Sequence, residues 1–243
     1  TDADVVVAID ADTRLEKGAV FWLTRHFSDP TVGAVAGTVD VGNSRNLITK
    51  FQELEYTISQ NLDRRAFETV HAISVVPGAI GAWRREALLS VGGYGEDTLA
   101  EDADVTIKLQ RAGWTVLTEP RAIAVTEAPA TVRLFLRQRF RWMFGTLQVA
   151  WKNLDCIRYR GARGIKFLTL PNILLFQFFF ALAAPVIDML LIASLIADGH
   201  FYIQGQAAGL SGRTTTLVTY WAIWQLLELM VGLLAYKIDG RRP

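Results

Sequence analysis

The sequence predicts an α/β domain of doubly wound type, followed by a basic amphipathic segment and two membrane-spanning helices. Three observations carry this. Strand-like and helix-like patterns alternate through residues 1–130, charge is partitioned sharply along the chain, and two long apolar stretches close it. Of the 243 residues, 51% are hydrophobic and 20% charged, which excludes a disordered chain. Cys156 is the single cysteine, so an intramolecular disulfide framework and a thiolate metal site are both excluded. His26, His71 and His200 are too scattered to suggest an imidazole cluster, so any metal must be held by oxygen. Thr1 in place of Met, with an apolar run already at Val5, predicts that the sequence begins inside a domain.

Val5 to Ile9 reads as a buried strand. Thr13 and Glu16 then have capping-box spacing ahead of a helix through His26. Val32 to Val39 is a second strand, and Leu47 to Phe67 a long helix of mixed charge. Ala72 to Val76 leads into a Pro77-Gly78 turn, and a short helix around Arg84 to Ser90 ends at Gly92-Gly93. Ala100 to Ala112 reads as a helix stopped by Gly113, and Thr115 to Thr118 as a strand. The predicted domain covers 1–130, with ligands expected beyond the carboxyl ends of its strands.

Residues 1–132 carry 12 Lys and Arg against 19 Asp and Glu, whereas residues 133–165 carry 8 against Asp155 alone. A basic belt between an acidic domain and an apolar tail suits a membrane surface or an anionic ligand. No nucleic-acid-binding signature accompanies it, so nucleic acid is not an expected partner. Within the amphipathic segment 131–166, Leu136, Phe140, Phe144, Leu147, Trp151 and Leu154 share one helical stripe, placed in the membrane interface. Gln138, Arg141 and Trp142 share the other side.

In the region 167–243, Ile173 to Ala197 and Thr214 to Tyr236 are each long enough to cross about 30 Å of hydrocarbon. Arg158, Arg160, Arg163 and Lys166 precede the first span, and Lys237, Arg241 and Arg242 follow the second, which puts both flanks and the α/β domain on the cytoplasmic side of the plasma (inner) membrane. Asp188 and Glu228 lie near the middles of the spans and are expected to face inward. Trp221, Trp224 and Glu228 share a face, read as an aromatic belt with a protonated Glu in preference to a carbohydrate path.

Three constellations could carry chemistry. Asp10 and Asp12, two apart on extended backbone, would send both carboxylates to one side and could share a hard divalent cation; capping by Asp12 and strand termination by Asp10 is the plainer alternative. Asp2 and Asp4 repeat the spacing but read as solvated. Glu101-Asp102 lies in the first turn of a helix, either as acidic residues complementing the macrodipole or as a general base. A helix N-terminus lowers an Asp pKa and a neighbouring diphosphate raises it, which leaves the basicity open. Gln138, Arg141 and Trp142 offer an amide, a phosphate-pairing guanidinium and an indole on which a sugar ring can stack.

Together, Asp10-Ala-Asp12, Ala100-Glu101-Asp102 and Gln138-x-x-Arg141-Trp142, followed by membrane spans, resemble the motifs of processive family 2 glycosyltransferases, which include cellulose, hyaluronan, chitin-oligosaccharide and poly-N-acetylglucosamine synthases. Pro77 to Leu88 resembles the acceptor-side loop and helix, with Gly78 among the substrate-binding positions. The resemblance implies a partial GT-A fold and an inverting hexosyltransferase that moves N-acetylglucosamine, or glucose as the runner-up, from a uridine diphosphate sugar to a β-linked polysaccharide. It implies Asp10 and Asp12 as holders of Mg²⁺ or Mn²⁺, Asp102 as base with help from Glu101, Gln138 and Arg141 at the diphosphate, and Trp142 at the acceptor sugar. An accessory membrane subunit is a further candidate partner. Two departures stand out: Ala100 replaces the usual Thr, and the uridine-binding strand that precedes these motifs in the family is absent, so this stretch alone is expected to bind donor poorly. A noncatalytic membrane subunit is the reading from a different class, and a transferase to a lipid phosphate is disfavoured.

Overall fold

The computed structural model describes residues 2–158, 162–206 and 209–239, and all side chains there except those of Gln60 and Asn61. Arg160, Arg241 and Arg242, counted above among the basic flanks, lie outside the described residues. Five strands, β1 (Val5–Ala8), β2 (Arg14–Leu15), β3 (Val32–Val41), β4 (Gly81–Arg84) and β5 (Thr115–Thr126), form one sheet in the order β1-β4-β3-β5-β2. The α/β class is as expected, but the sheet is mixed: only β3 and β5 pair in parallel, while β1 with β4, β3 with β4 and β2 with β5 are antiparallel. β3 lies centrally and is buried from Val32 to Val39, as a continuous run of small and branched apolar residues requires.

Both faces of the sheet are covered. Leu23 on α1 (Ala19–Thr24) and Tyr56 on α2 (Leu47–Thr57) pack with Val35, Val39 and Ile80 in one core cluster. Ala87 on α4 (Arg85–Ser90) and Val105 and Leu109 on α5 (Glu101–Arg111) pack with Ala34, Ala36 and Trp83 in another. The long helix expected over Leu47 to Phe67 runs as α2, a π-helical stretch Ile58–Asp63 and α3 (Arg64–Glu68). Its start is fixed by a capping box, in which Asn46 accepts from Thr49 N at 2.9 Å and Thr49 Oγ1 accepts from Asn46 N at 3.1 Å.

Two local expectations fail. The capping box at Thr13 and Glu16 does not form: Arg14 and Leu15 pair with Val125 and Ala124, Thr13 Oγ1 meets Thr126 Oγ1 at 3.2 Å, and the helix begins only at Ala19, after Gly18 at φ 87°. The strand expected to end at Thr118 continues to Thr126. Pro120 falls where the β3–β5 register breaks between Thr118 and Ile123, so its missing N–H costs no ladder bond. Glu119 at this break is buried yet satisfied by Arg121 and His26. Burial pushes its carboxyl up, but those hydrogen bonds outweigh it and hold the pKa down at about 2. Ala72 to Val76 has no strand pairing.

α6 (Val132–Lys152) carries the basic belt and presents its apolar stripe outward, with Phe140 67% and Trp151 74% exposed. Its opposite side locks onto α5. A Cβ built on Gly145 would stand 2.7 Å from Ala100 N, and Gln148 Oε1 accepts from Leu99 N at 3.0 Å. Lys152 meets Asp97 at 2.6 Å and the fully buried Asp104 at 3.0 Å, where Lys108 also binds at 2.7 Å.

Helical residues Ile165–Ile203, which include α7 (Ala181–Ile203), and Gly212–Ile238 of α8 (Gly212–Asp239) are each long and apolar enough to cross a membrane, and almost none of either is buried. A core helix of a soluble domain would be covered. Asp188 and Glu228 do not face inward as expected. Both are exposed, because two helices enclose no interior, and Glu228 Oε1 accepts from Trp224 Nε1 at 2.7 Å. Near its C-terminal end α8 returns to the α/β domain, where the Cβ position of Gly232 lies 3.9 Å from Ile58.

Because the atoms facing Gly145 at contact distance are the Leu99–Ala100 backbone and the Cβ of Ala100, none of which can swing aside, G145A must push α6 off that segment. The expected loss is about 1–3 kcal/mol, read as a lower melting temperature in detergent; an unchanged melting curve would show that the two helices are not in direct contact.

Candidate active site

The Pro77-Gly78 turn is where the acidic motifs meet. β1 ends before Asp10, whose carbonyl accepts from Thr13 N at 3.0 Å, so Asp10 and Asp12 are presented by a tight turn and not by the extended backbone expected. The side chain of Asp10 reaches Gly78, where a Cβ would stand 3.2 Å from Asp10 Oδ1. The Gly78 N–H also favours the charged form of the Asp102 carboxyl. Asp12 Oδ1 lies 3.3 Å from Thr126 Oγ1, at the end of β5.

Electrostatics place the remaining motif here too. Partial burial of the Asp10 carboxyl, then the negative charges of Asp12 and Glu101, push its pKa up, and Arg141 acts against them. Asp102 is also raised. Burial is the main cause and Glu101 adds to it, while hydrogen bonds from the Ala103 and Gly78 N–H groups oppose. Burial of Asp102 thus outweighs the N–H donors of the α5 N-terminus. Ala100, at the N-cap of α5, makes no side-chain cap hydrogen bond, and Ala103 N donates to Asp102 Oδ1 at 2.8 Å.

Trp142 is half-buried and is both a wall of the site and part of the core. Its ring lies 6.3 Å from that of Tyr56, which itself senses Asp12 and Asp10. Arg139 stands over Trp142 at 4.8 Å and over Phe135 at 4.8 Å, and pairs with Glu55 on α2. Gln138 Oε1 is buried without a protein partner, an acceptor left for something other than this chain. Asp10, Asp12, Glu101, Asp102, Gly78 and Arg141 thus border one region, Trp142 adjoins it through Tyr56, and Gln138 lies one helical turn before Trp142 on α6.

Two tyrosines were missed by sequence reasoning. Burial drives Tyr56 up to about 12. Tyr94, edge-on to Trp83 at 5.8 Å, is raised by burial and then by Asp102, Glu101 and Asp10. No spacing rule marks them, since they enter from a helix middle and a loop.

Among the described residues no group of three or more His, Cys, Asp or Glu could hold a metal ion. The donors nevertheless fit a cation such as Mg²⁺ or Mn²⁺, which needs only one or two protein carboxylates when substrate phosphates and water complete its shell. Asp10 and Asp12 are exposed, oxygen-bearing and mutually repelling, the condition a divalent cation relieves.

Comparison with known proteins bears on what such a site serves. The sequence profile of glycosyl transferase family group 2 matches residues 5–236. A poly-beta-1,6-N-acetyl-D-glucosamine synthase of Staphylococcus aureus (strain COL) is 29% identical over 147 residues, 60% of this chain and 36% of that protein. The probable glycosyltransferase YdaM of Bacillus subtilis (strain 168) is 33% identical over 156 residues, 63% of this chain and 37% of that protein. The chain therefore spans little more than a third of these relatives. The solved mannosyltransferase PcManGT of Pyrobaculum calidifontis, in complex with GDP-Man and Mn²⁺, shares the fold, with a TM-score of 0.60 and 22% identity over 98% of this chain and 63% of that one.

Glu101 raises both Asp10 and Asp102, so in E101Q both carboxyls should titrate at lower pH than in the parent. Infrared difference spectra of protein carrying ¹³C-labelled aspartate would show it; unaltered midpoints would mean that the three carboxylates are not neighbours.

Proposed function

The chain belongs to glycosyl transferase family group 2, and from that membership we propose that it carries the metal, base and acceptor part of an inverting glycosyltransferase site that extends a β-linked polysaccharide from a uridine diphosphate sugar. The observation that carries the proposal is the meeting of Asp10 and Asp102 at Gly78. Asp102 takes the proton of the acceptor hydroxyl as that oxygen attacks the anomeric carbon and the diphosphate leaves from the opposite side. A base that is partly desolvated and raised above the ordinary carboxylate range is better matched to this task than a solvent-exposed one. Glu101 keeps it raised.

Asp10 and Asp12 hold the divalent cation, Mg²⁺ or Mn²⁺, whose chemistry is to stabilise charge on the leaving diphosphate. Arg141, which already acts on Asp10, supplies a further positive charge toward that group, and Gln138, one turn before Trp142 on α6, can donate to it through its amide NH₂. Trp142, braced by Tyr56 and Arg139, supports the acceptor sugar. N-acetylglucosamine is the preferred sugar, on the likeness to the staphylococcal poly-N-acetylglucosamine synthase. The return of α8 to the α/β domain, with Lys166 and Lys237 near the corresponding helix ends, supports a cytoplasmic site beside the bilayer of the inner membrane.

The test uses the protein in membrane vesicles with labelled uridine diphosphate sugars and Mg²⁺ or Mn²⁺. D102N is expected to lower sugar incorporation by roughly 10²–10⁴-fold with the melting temperature kept, whereas full activity in D102N would favour a noncatalytic subunit. G78A crowds Asp10 and is expected to weaken Mn²⁺ binding about tenfold or more in a calorimetric titration; parent-like affinity would separate Asp10 from the metal.

A further inference from the structure

A concavity of about 370 Å³ lies between the loop before α5 and the C-terminal half of α6, and none of Asp10, Asp12, Asp102 or Arg141 lines it. Phe144, Leu147 and Trp151 of α6 form its apolar wall, and Asp97, Thr98 and Lys152 supply its polar side. Thr98 is only 8% exposed, yet its Oγ1 has no hydrogen-bond partner among the described residues. A buried hydroxyl without a partner is costly, which points to a ligand that supplies one. The ion pair beside it has bonding capacity left. Lys152 directs two of its three N–H donors to Asp97 at 2.6 Å and Asp104 at 3.0 Å, and the Asp97 side chain remains 59% exposed. Leu147 also borders a crevice lined by Ile173 and Phe178 of the first membrane-length helix, so the concavity adjoins the part of the chain suited to meet lipid.

We propose that this concavity binds one phospholipid whose head group carries both a phosphate and a primary ammonium. The phosphate accepts from Thr98 Oγ1 and from the remaining donor of Lys152, and the ammonium donates to Asp97. An acyl chain lies over Trp151, Leu147 and Phe144 and continues along Phe140, whose ring stacks on that of Phe144 at 5.7 Å. The pairing of Asp97 with Lys152 selects the head group. A lipid bearing only negative charge would meet the Asp97 carboxylate as well as the Lys152 ammonium, whereas a zwitterion meets each with its opposite. A quaternary ammonium has no N–H to donate to Asp97, which separates ethanolamine from choline head groups.

The experiment places the protein in phosphatidylcholine nanodiscs in which a minor fraction of the lipid is tail-brominated phosphatidylethanolamine, phosphatidylcholine or phosphatidylglycerol. Quenching of Trp151 is read as the difference between the parent and W151F, a readout independent of sugar transfer. Brominated phosphatidylethanolamine should quench Trp151 about threefold or more as strongly as either of the others, and D97N and T98V should each lose that preference. Equal quenching by the three lipids would leave only a helix resting on the bilayer. Stronger quenching by phosphatidylglycerol would mark a site for anionic lipid, and no quenching by any of them would put the concavity away from lipid. Each of these results overturns the proposal, as does a preference that survives in D97N or in T98V. If T98V does not fold, D97N, altered at an exposed side chain, decides alone: loss of the preference supports the proposal and its retention overturns it.

Discussion

The approach of two carboxylates to Gly78 is the constraint from which the rest of the site follows. Asp10 can come this close only because position 78 has no side chain, and the N–H of the same residue favours the carboxylate of Asp102. One turn therefore joins the end of β1 to the start of α5, two elements separated by most of the domain in sequence. The cost is electrostatic, since Asp10, Asp12 and Glu101 repel one another in a partly desolvated space. Arg141 and the proposed cation relieve it.

Packing of α6 keeps the third motif in register with the other two. Gly145 lets its backbone touch the Leu99–Ala100 segment, Gln148 satisfies Leu99 N, and Lys152 ties Asp97 to the buried Asp104. Four residues or fewer before Gly145 stand Arg141 and Trp142, so a shift of α6 would move guanidinium and indole together. The same helix turns Phe140, Phe144 and Trp151 outward. An exposed apolar surface and a surface that faces the α/β domain are thus opposite sides of one helix.

Much of this was legible in the sequence. Apolar runs gave β3 and the two long exposed helices, and Gly113 stopped α5 where expected. Asp12, Glu101 and Arg141, which stand far apart in sequence, all act on Asp10. Non-local pairing was illegible. Thr13 looked like a cap because nothing nearby reveals that Arg14 and Leu15 are claimed by β5, and the strand from Thr115 continues past Thr118 because the register break that tolerates Pro120 is set by β3. The mixed sheet has the same origin, since the antiparallel pairing of β4 between β1 and β3 leaves no local trace. Tyr56 and Tyr94 were invisible as site residues for a related reason: their importance lies in what they approach, not in a motif.

Convergence of the acidic turn and the indole on one cavity is tested most directly by paramagnetic broadening. With the protein labelled with 5-fluorotryptophan and titrated with Mn²⁺, the ¹⁹F resonance of Trp142, assigned through W142F, should broaden at the lowest metal concentrations, and that broadening should vanish in D10N. Broadening of other tryptophans with Trp142 left sharp, or broadening of Trp142 that persists in D10N, would show that the metal-holding turn and the Gln-x-x-Arg-Trp helix do not share a site.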